Sequence, residues 1–117
     1  GELAVDQAGV SKFVEDVTAM GLKVLITELD VTDDKLPAAI GERDEICARR
    51  VRDFLGAVFA VARPEAVLTW GLSDRYTWVP TWFKRKDGLP NRPLPLDADF
   101  KPKPMLSAID AFCRAKI

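Results

Sequence analysis

Lys23-Val24-Leu25-Ile26-Thr27-Glu28-Leu29-Asp30 is the stretch that decides the fold. Its first five residues form an almost unbroken apolar and β-branched run, the pattern of strands buried on both faces of a parallel sheet. The run ends in Glu28, Leu29 and Asp30 and gives way to a polar stretch, residues 32–41, with Pro37 and Gly41 as loop punctuation. Glu28 and Asp30 stand two apart, so strand alternation predicts that they share one face at the C-terminal rim of a sheet. In parallel α/β folds that rim is where active sites are built.

Outward from this strand the chain reads as alternating elements. Before it, Val10, Phe13, Val14, Val17 and Met20 keep helical spacing, and Gly21 sits where a glycine ends a helix. After it, a helix is predicted over residues 42–62, with Cys47, Val51, Phe54, Leu55, Val58 and Ala62 on one stripe and Pro64 beyond its end. Residues 66–72 read as a second buried strand, leading into Ser73, Asp74 and a segment rich in tryptophan. Residues 80–104 hold six of the eight prolines and read as a long irregular loop; Met105, Ile109, Phe112 and Cys113 then define a last helix. Helix, strand, helix, strand is the grammar of βαβ crossovers.

The bulk composition excludes several classes of function. With 117 residues, 48% hydrophobic and 30% charged, the chain has the make-up of one globular unit. A formal charge of −1 gives no electrostatic footprint for nucleic acid or an anionic membrane. No apolar run approaches bilayer length, and Gly1 is not followed by a signal segment. Cys47 and Cys113 match neither a redox pair nor a zinc spacing; buried free thiols are expected, with a disulfide between neighbouring helices as the alternative. No metal or cofactor is expected.

Two groups of residues can carry chemistry. A rim carboxylate such as Glu28 can serve as nucleophile or acid in splitting a glycosidic bond, given a second carboxylate about 5–5.5 Å away for retention. The bland alternative is an acid that caps a loop or pairs with an arginine. Past the second strand stand Trp70, Gly71, Asp74, Arg75, Tyr76, Trp78 and Trp82. Aromatic faces stack on the CH-rich faces of sugar rings, so tryptophans beside an acid suit a carbohydrate site. Packing under the long loop is the alternative, and Trp82, deepest in the loop, is expected to be structural. A complete small hydrolase using Glu28 and Asp74 as its pair is a further alternative.

The string Gly21-Leu22-Lys23-Val24-Leu25-Ile26-Thr27-Glu28-Leu29-Asp30-Val31 resembles the strand-seven motif of family 10 glycoside hydrolases, the endo-1,4-β-xylanases. Leu68-Thr69-Trp70-Gly71-Leu72-Ser73-Asp74-Arg75-Tyr76-Thr77-Trp78 is similar to that family's strand-eight motif, in matching order and distance. Arg92-Pro93-Leu94-Pro95-Leu96-Asp97, followed by Lys103-Pro104, resembles the lead into its final helix. The resemblance implies an α/β fold, the C-terminal segment of a (β/α)8 barrel over residues 1–117: helix six, strand seven, helix seven, strand eight and helix eight. It implies that Glu28 is the nucleophile of a retaining mechanism and that Asp30 orients a histidine from strand six. It further implies that Trp70 and Trp78 line the subsite of the sugar under attack, and that xylan or a xylo-oligosaccharide is the substrate.

The same resemblance implies what is missing. Strands one to six, with the acid/base glutamate, have no counterpart, and the chain contains no histidine. Two parallel strands joined by a helix leave unpaired sheet edges, so a complementary N-terminal barrel segment or self-association is the expected partner. Members of the family are usually secreted or periplasmic.

Overall fold

The computed structural model describes residues 4–114. Its elements follow in the order α1 (Gln7–Ala19), β1 (Ile26–Leu29), α2 (Ile40–Phe59), β2 (Val67–Thr69), α3 (Pro80–Phe83) and α4 (Pro104–Arg114). β1 and β2 pair in parallel as a two-stranded sheet, joined by α2. This is the predicted strand–helix–strand unit.

The local chemistry explains where the helices stop and start. α1 begins three residues before the predicted start because the Asp6 side chain caps it, accepting from the Gly9 N–H at 2.9 Å. It ends on Gly21 at φ 79°, with Gly21 N donating to Thr18 O and Leu22 N to Val17 O. That pair of bonds is the Schellman closure that a left-handed glycine permits. α2 closes at Phe59 before the predicted 62, where the Ala62 and Ala60 N–H groups turn onto Val58 and Gly56. α4 lies where the last helix was predicted.

One core lies between the sheet and the helices. Leu29, Val31 and Leu36 meet Cys47, Ala48, Val51 and Leu55 of α2, and Met105 and Ala108 of α4. Phe59 and Phe112 join these helices at their far end, ring centroids 5.3 Å apart. The opposite face of the sheet is uncovered: Leu25 is 53% and Leu68 50% exposed. The strands therefore depart from the expectation of burial on both faces, for lack of a second layer among the described residues. α1 is half-covered in the same way, with Val14 buried and Phe13 exposed beside an apolar groove of about 570 Å³.

The long segment expected to be irregular is short of regular elements but firmly held. α3 interrupts it, and Leu96 bridges Ser73 on one side and Pro102 on the other. Asp33, with no exposed surface, accepts from Asn91 Nδ2 and from the Arg92 N–H, both at 2.8 Å, and lies 3.5 Å from Arg43 Nη1. Arg92 grips Asp44 of α2 through two bonds of 2.8 and 2.7 Å.

The thiols divide. Cys47 is buried and free, its pKa pushed up to about 12 mainly by burial, so it stays protonated and inert. Cys113 is free but exposed, which corrects the expectation of two buried thiols: it sits on the outer side of the last turn of α4. Neither forms a disulfide.

Removing the Asp33 carboxylate leaves the buried Arg43 cation and two loop donors without their acceptor. Asp33→Ala should lower stability by about 3–5 kcal/mol, read as a shift of the urea midpoint.

Candidate active site

The site residues gather where the two strands end. Trp70 N–H donates to Leu29 O at 3.0 Å, so the residue that follows β2 is tied to the last residue of β1. Between the paired residues Ile26–Val67 and Leu29–Thr69 the register slips. Thr27 and Glu28 of β1 therefore stand against the single residue Leu68 of β2. A bulge of this kind re-aims side chains, and both Thr27 and Glu28 are exposed while Ile26 and Leu29 pack into the core. The simple alternation that would have placed Glu28 on the side of Ile26 is broken here.

Asp30 lies just past the bulge, half-buried. Its Oδ2 accepts from Trp78 Nε1 at 2.8 Å. Burial raises the Asp30 pKa, the indole bond opposes this, and the nearby charge of Glu28 adds to the rise. Trp78 is 38% and Trp70 51% exposed. Trp78 also meets Phe83 of α3 edge-on, with centroids 5.8 Å apart and planes at 80°. Glu28 and Asp30 thus lie at the end of β1, with Trp70 tied to Leu29 and Trp78 to Asp30.

Three neighbours take other parts. Asp74 is no partner for Glu28: its carboxylate is 3% exposed, accepts from the Leu94 N–H at 2.9 Å and pairs with Lys103 Nζ at 2.8 Å. The alternative of a Glu28–Asp74 pair is thereby overturned. Arg75 is turned to the chain itself, donating from Nε to Ala98 O and lying over the Phe100 ring. Trp82 is 78% exposed on α3, so it is not the buried packing residue expected. A cavity of about 290 Å³ lined by Asp30, Thr32, Arg50 and Phe54 adjoins the site but does not include Glu28 or the tryptophans.

Two features escaped the reading of residues. The bulge at Thr27–Glu28 has no composition signal, although Ile26 and Leu29 are both apolar at a spacing that regular alternation cannot bury together. Phe83 stands next to Trp82, and only the turn into α3 brings it rather than its neighbour against Trp78.

A parallel strand–helix–strand unit with acids and tryptophans at its open strand ends is the arrangement of a glycoside-hydrolase α/β barrel. Comparison with known proteins agrees: the model of "Glycosyl hydrolase family 10" matches residues 3–112, and the chain belongs to that family. Endo-1,4-beta-xylanase A of Caldicellulosiruptor saccharolyticus is 31% identical over 119 residues, covering 90% of this chain and 32% of its relative. Endo-1,4-beta-xylanase 1 of Humicola insolens is 29% identical, covering 80% of this chain and 21% of the relative. Among solved structures, xylanase 10B from Thermotoga petrophila in complex with xylobiose superposes with a TM-score of 0.77 at 25% identity, covering 93% of this chain and 32% of that one. Xylanase10C of Cellvibrio japonicus, in complex with xylopentaose, shares the fold with a TM-score of 0.80 and 25% of its length covered. The chain spans about a third or less of each.

Gly71 separates Trp70 from the rest of the loop at φ 109°, and a Cβ there would come within 2.9 Å of Leu94 Cδ1 and 3.2 Å of the Tyr76 carbonyl oxygen. Leu94 has no exposed surface to retreat to. Gly71→Ala should therefore destabilise by about 1–3 kcal/mol in urea unfolding and shift tryptophan emission as Trp70 moves. Gly21→Ala, with nothing within 4 Å, should cost the conformational strain alone.

Proposed function

We propose that this chain carries the nucleophile half of a retaining endo-1,4-β-xylanase site, completed by a barrel segment that supplies the acid/base glutamate. The observation that carries the reading is the bulge that leaves Glu28 exposed at the end of β1, between residues tied to the two tryptophans: Leu29 accepts from the Trp70 N–H, and Asp30, which feels the charge of Glu28, accepts from Trp78. Membership of the family and the xylanase names of its relatives supply the substrate class.

In this reading the Glu28 carboxylate attacks the anomeric carbon of a xylose unit as the glycosidic C–O bond breaks. The complementary glutamate gives its proton to the departing oxygen. Water, deprotonated by that same glutamate, then attacks the anomeric carbon, releasing the sugar and regenerating the Glu28 carboxylate. Trp70 and Trp78 bound the sugar through their ring faces. Asp30 sets the charge environment next to the nucleophile, and would be placed to orient a histidine of the complementary segment. Leaving-group protonation contributes roughly 10²–10⁴-fold. Neither of the two acids nearest in sequence to the strand ends is free to supply it, because Asp30 is bonded to Trp78 and Asp74 is buried against Lys103.

The uncovered sheet face favours a complement. Leu25, Leu68 and the α1 groove present apolar surface that further barrel strands would bury. The same surface supports a second reading, a self-assembling module without catalysis and with at most weak xylan binding.

Mixing the chain with a segment carrying barrel strands one to six should generate hydrolysis of an aryl xyloside, and Glu28→Ala should return it to background. A mixture that associates but stays inactive would sink the catalytic reading. Sedimentation of the chain alone tests the second: a defined oligomer supports self-assembly, and a monomer counts against it.

A further inference from the structure

Trp78 is held at two points, and the points come from different elements. Its Nε1–H donates to Asp30, which follows β1, while its ring edge packs against Phe83, which closes α3. An indole has a single hydrogen-bond donor and no acceptor, so the partner of Nε1 decides how the ring is rotated. A carboxylate is the strongest acceptor a side chain can offer to that donor. We infer that Asp30 is a positioning residue for Trp78, its carboxylate fixing the plane of the indole that bounds the sugar site.

The inference rests on the site reading proposed above, but goes beyond the role that resemblance implies for Asp30, which looks outward to a histidine of another segment. Here the carboxylate acts within its own chain. It joins the end of β1 to the segment before α3, and so couples the surroundings of Glu28 to a wall of the sugar site. Without that acceptor a ring that is more than one-third exposed would be left to its packing contacts, the edge of Phe83 among them. The coupling runs both ways. The indole N–H stabilises the ionised form of Asp30 against burial and against the charge of Glu28 on the same strand. Arg50 of α2 lines the same cavity as Asp30 from the helix side.

The test is read by indole N–H resonances of the ¹⁵N-labelled chain, with Trp78→Phe assigning the signal of interest. In the parent chain the Trp78 signal should move as pH falls through the titration of Asp30. Asp30→Ala should speed its exchange with solvent by about tenfold or more, leaving the Trp70 and Trp82 signals in place. Asp30→Asn, which keeps an acceptor of the same shape, should retain part of the protection and lose the pH step. Unchanged exchange in Asp30→Ala, or a pH step that persists in Asp30→Asn, would overturn the inference. Should Asp30→Ala lose its backbone amide dispersion, the Asp30→Asn comparison decides alone. None of these readouts needs turnover. An inactive complemented assembly would therefore remove the xylanase reading and leave the clamp standing, while a failed clamp leaves Glu28 untouched.

Discussion

Asp33 is the buried charge on which the arrangement of loops depends. Residues 84–103 contain no regular element, and a chain of that kind laid against a core carries peptide groups that must find partners inside it. Asp33 takes the Arg92 N–H and the Asn91 amide, and its own carbonyl accepts from Arg85 Nη1. Asp74 repeats the device two residues further along the loop by accepting from the Leu94 N–H. Each carboxylate has a cation beside it, Arg43 for the first and Lys103 for the second. With these anchors set, Pro93, Leu94 and Pro95 are sealed from solvent, and Val31 N–H bonds to Pro93 O at 3.1 Å. Leu96 N–H bonds to Leu72 O in turn. The loop thus braces the segments that leave both strands, and through them Glu28, Asp30 and Trp70. Such a network defines geometry more than it adds stability, because the desolvation of its charges consumes much of what their attraction supplies.

The other governing constraint is the sheet. Hydrogen bonds run from Val24 and Glu65 up to Leu29 and Trp70, yet each strand has an outer edge with no neighbour among the described residues. α2 and α4 cover one face well, with Val51, Leu55, Met105 and Ala48 almost or fully inaccessible. The other face offers Leu25 and Leu68 to water. A unit so divided is half of a layered structure. Its covered face accounts for folding, and its open face carries the residues with chemical potential. Both faces of a strand cannot serve as core in so few elements, so the function proposed for this chain depends on what closes the second face.

Much of this was legible in the residues. The spacing of Val10, Val14 and Val17, the Gly21 stop and the stripe from Cys47 to Val58 located two of the helices, because helical burial leaves a periodic trace. The strands were found but displaced: Lys23 to Leu25 have strand composition, whereas the regular ladder begins at Ile26. What escaped was decided by contacts distant in sequence. Nothing near Asp33 announces that its acceptors serve residues 91 and 92, since one of two adjacent aspartates after a strand reads as loop polarity. Cys113 lies on an apolar stripe, but in the last turn of α4 it is Phe112 that packs on Phe59 of α2, and the neighbouring thiol is exposed. Trp82 and Trp78 look alike in composition, and only the geometry of α3 separates the exposed ring from the clamped one.

The bulge shows how a packing requirement can expose a reactive group. In a regular strand Ile26 and Leu29, three apart, point to opposite faces, so one of them would have to leave the core and Glu28 would enter it beside Ile26. Burying an unpaired carboxylate against Leu55 and Val51 is far more costly than interrupting one rung of a ladder. Inserting an extra residue resolves the conflict: Ile26 and Leu29 both reach the helices, and Thr27 and Glu28 are both left outside. The apolar pair thus selects the conformation that frees the acid. It follows that the position of Glu28 is not set by the loops around it alone. It is also set by the core beneath it, which makes the carboxylate's orientation a property of the best-packed part of the chain.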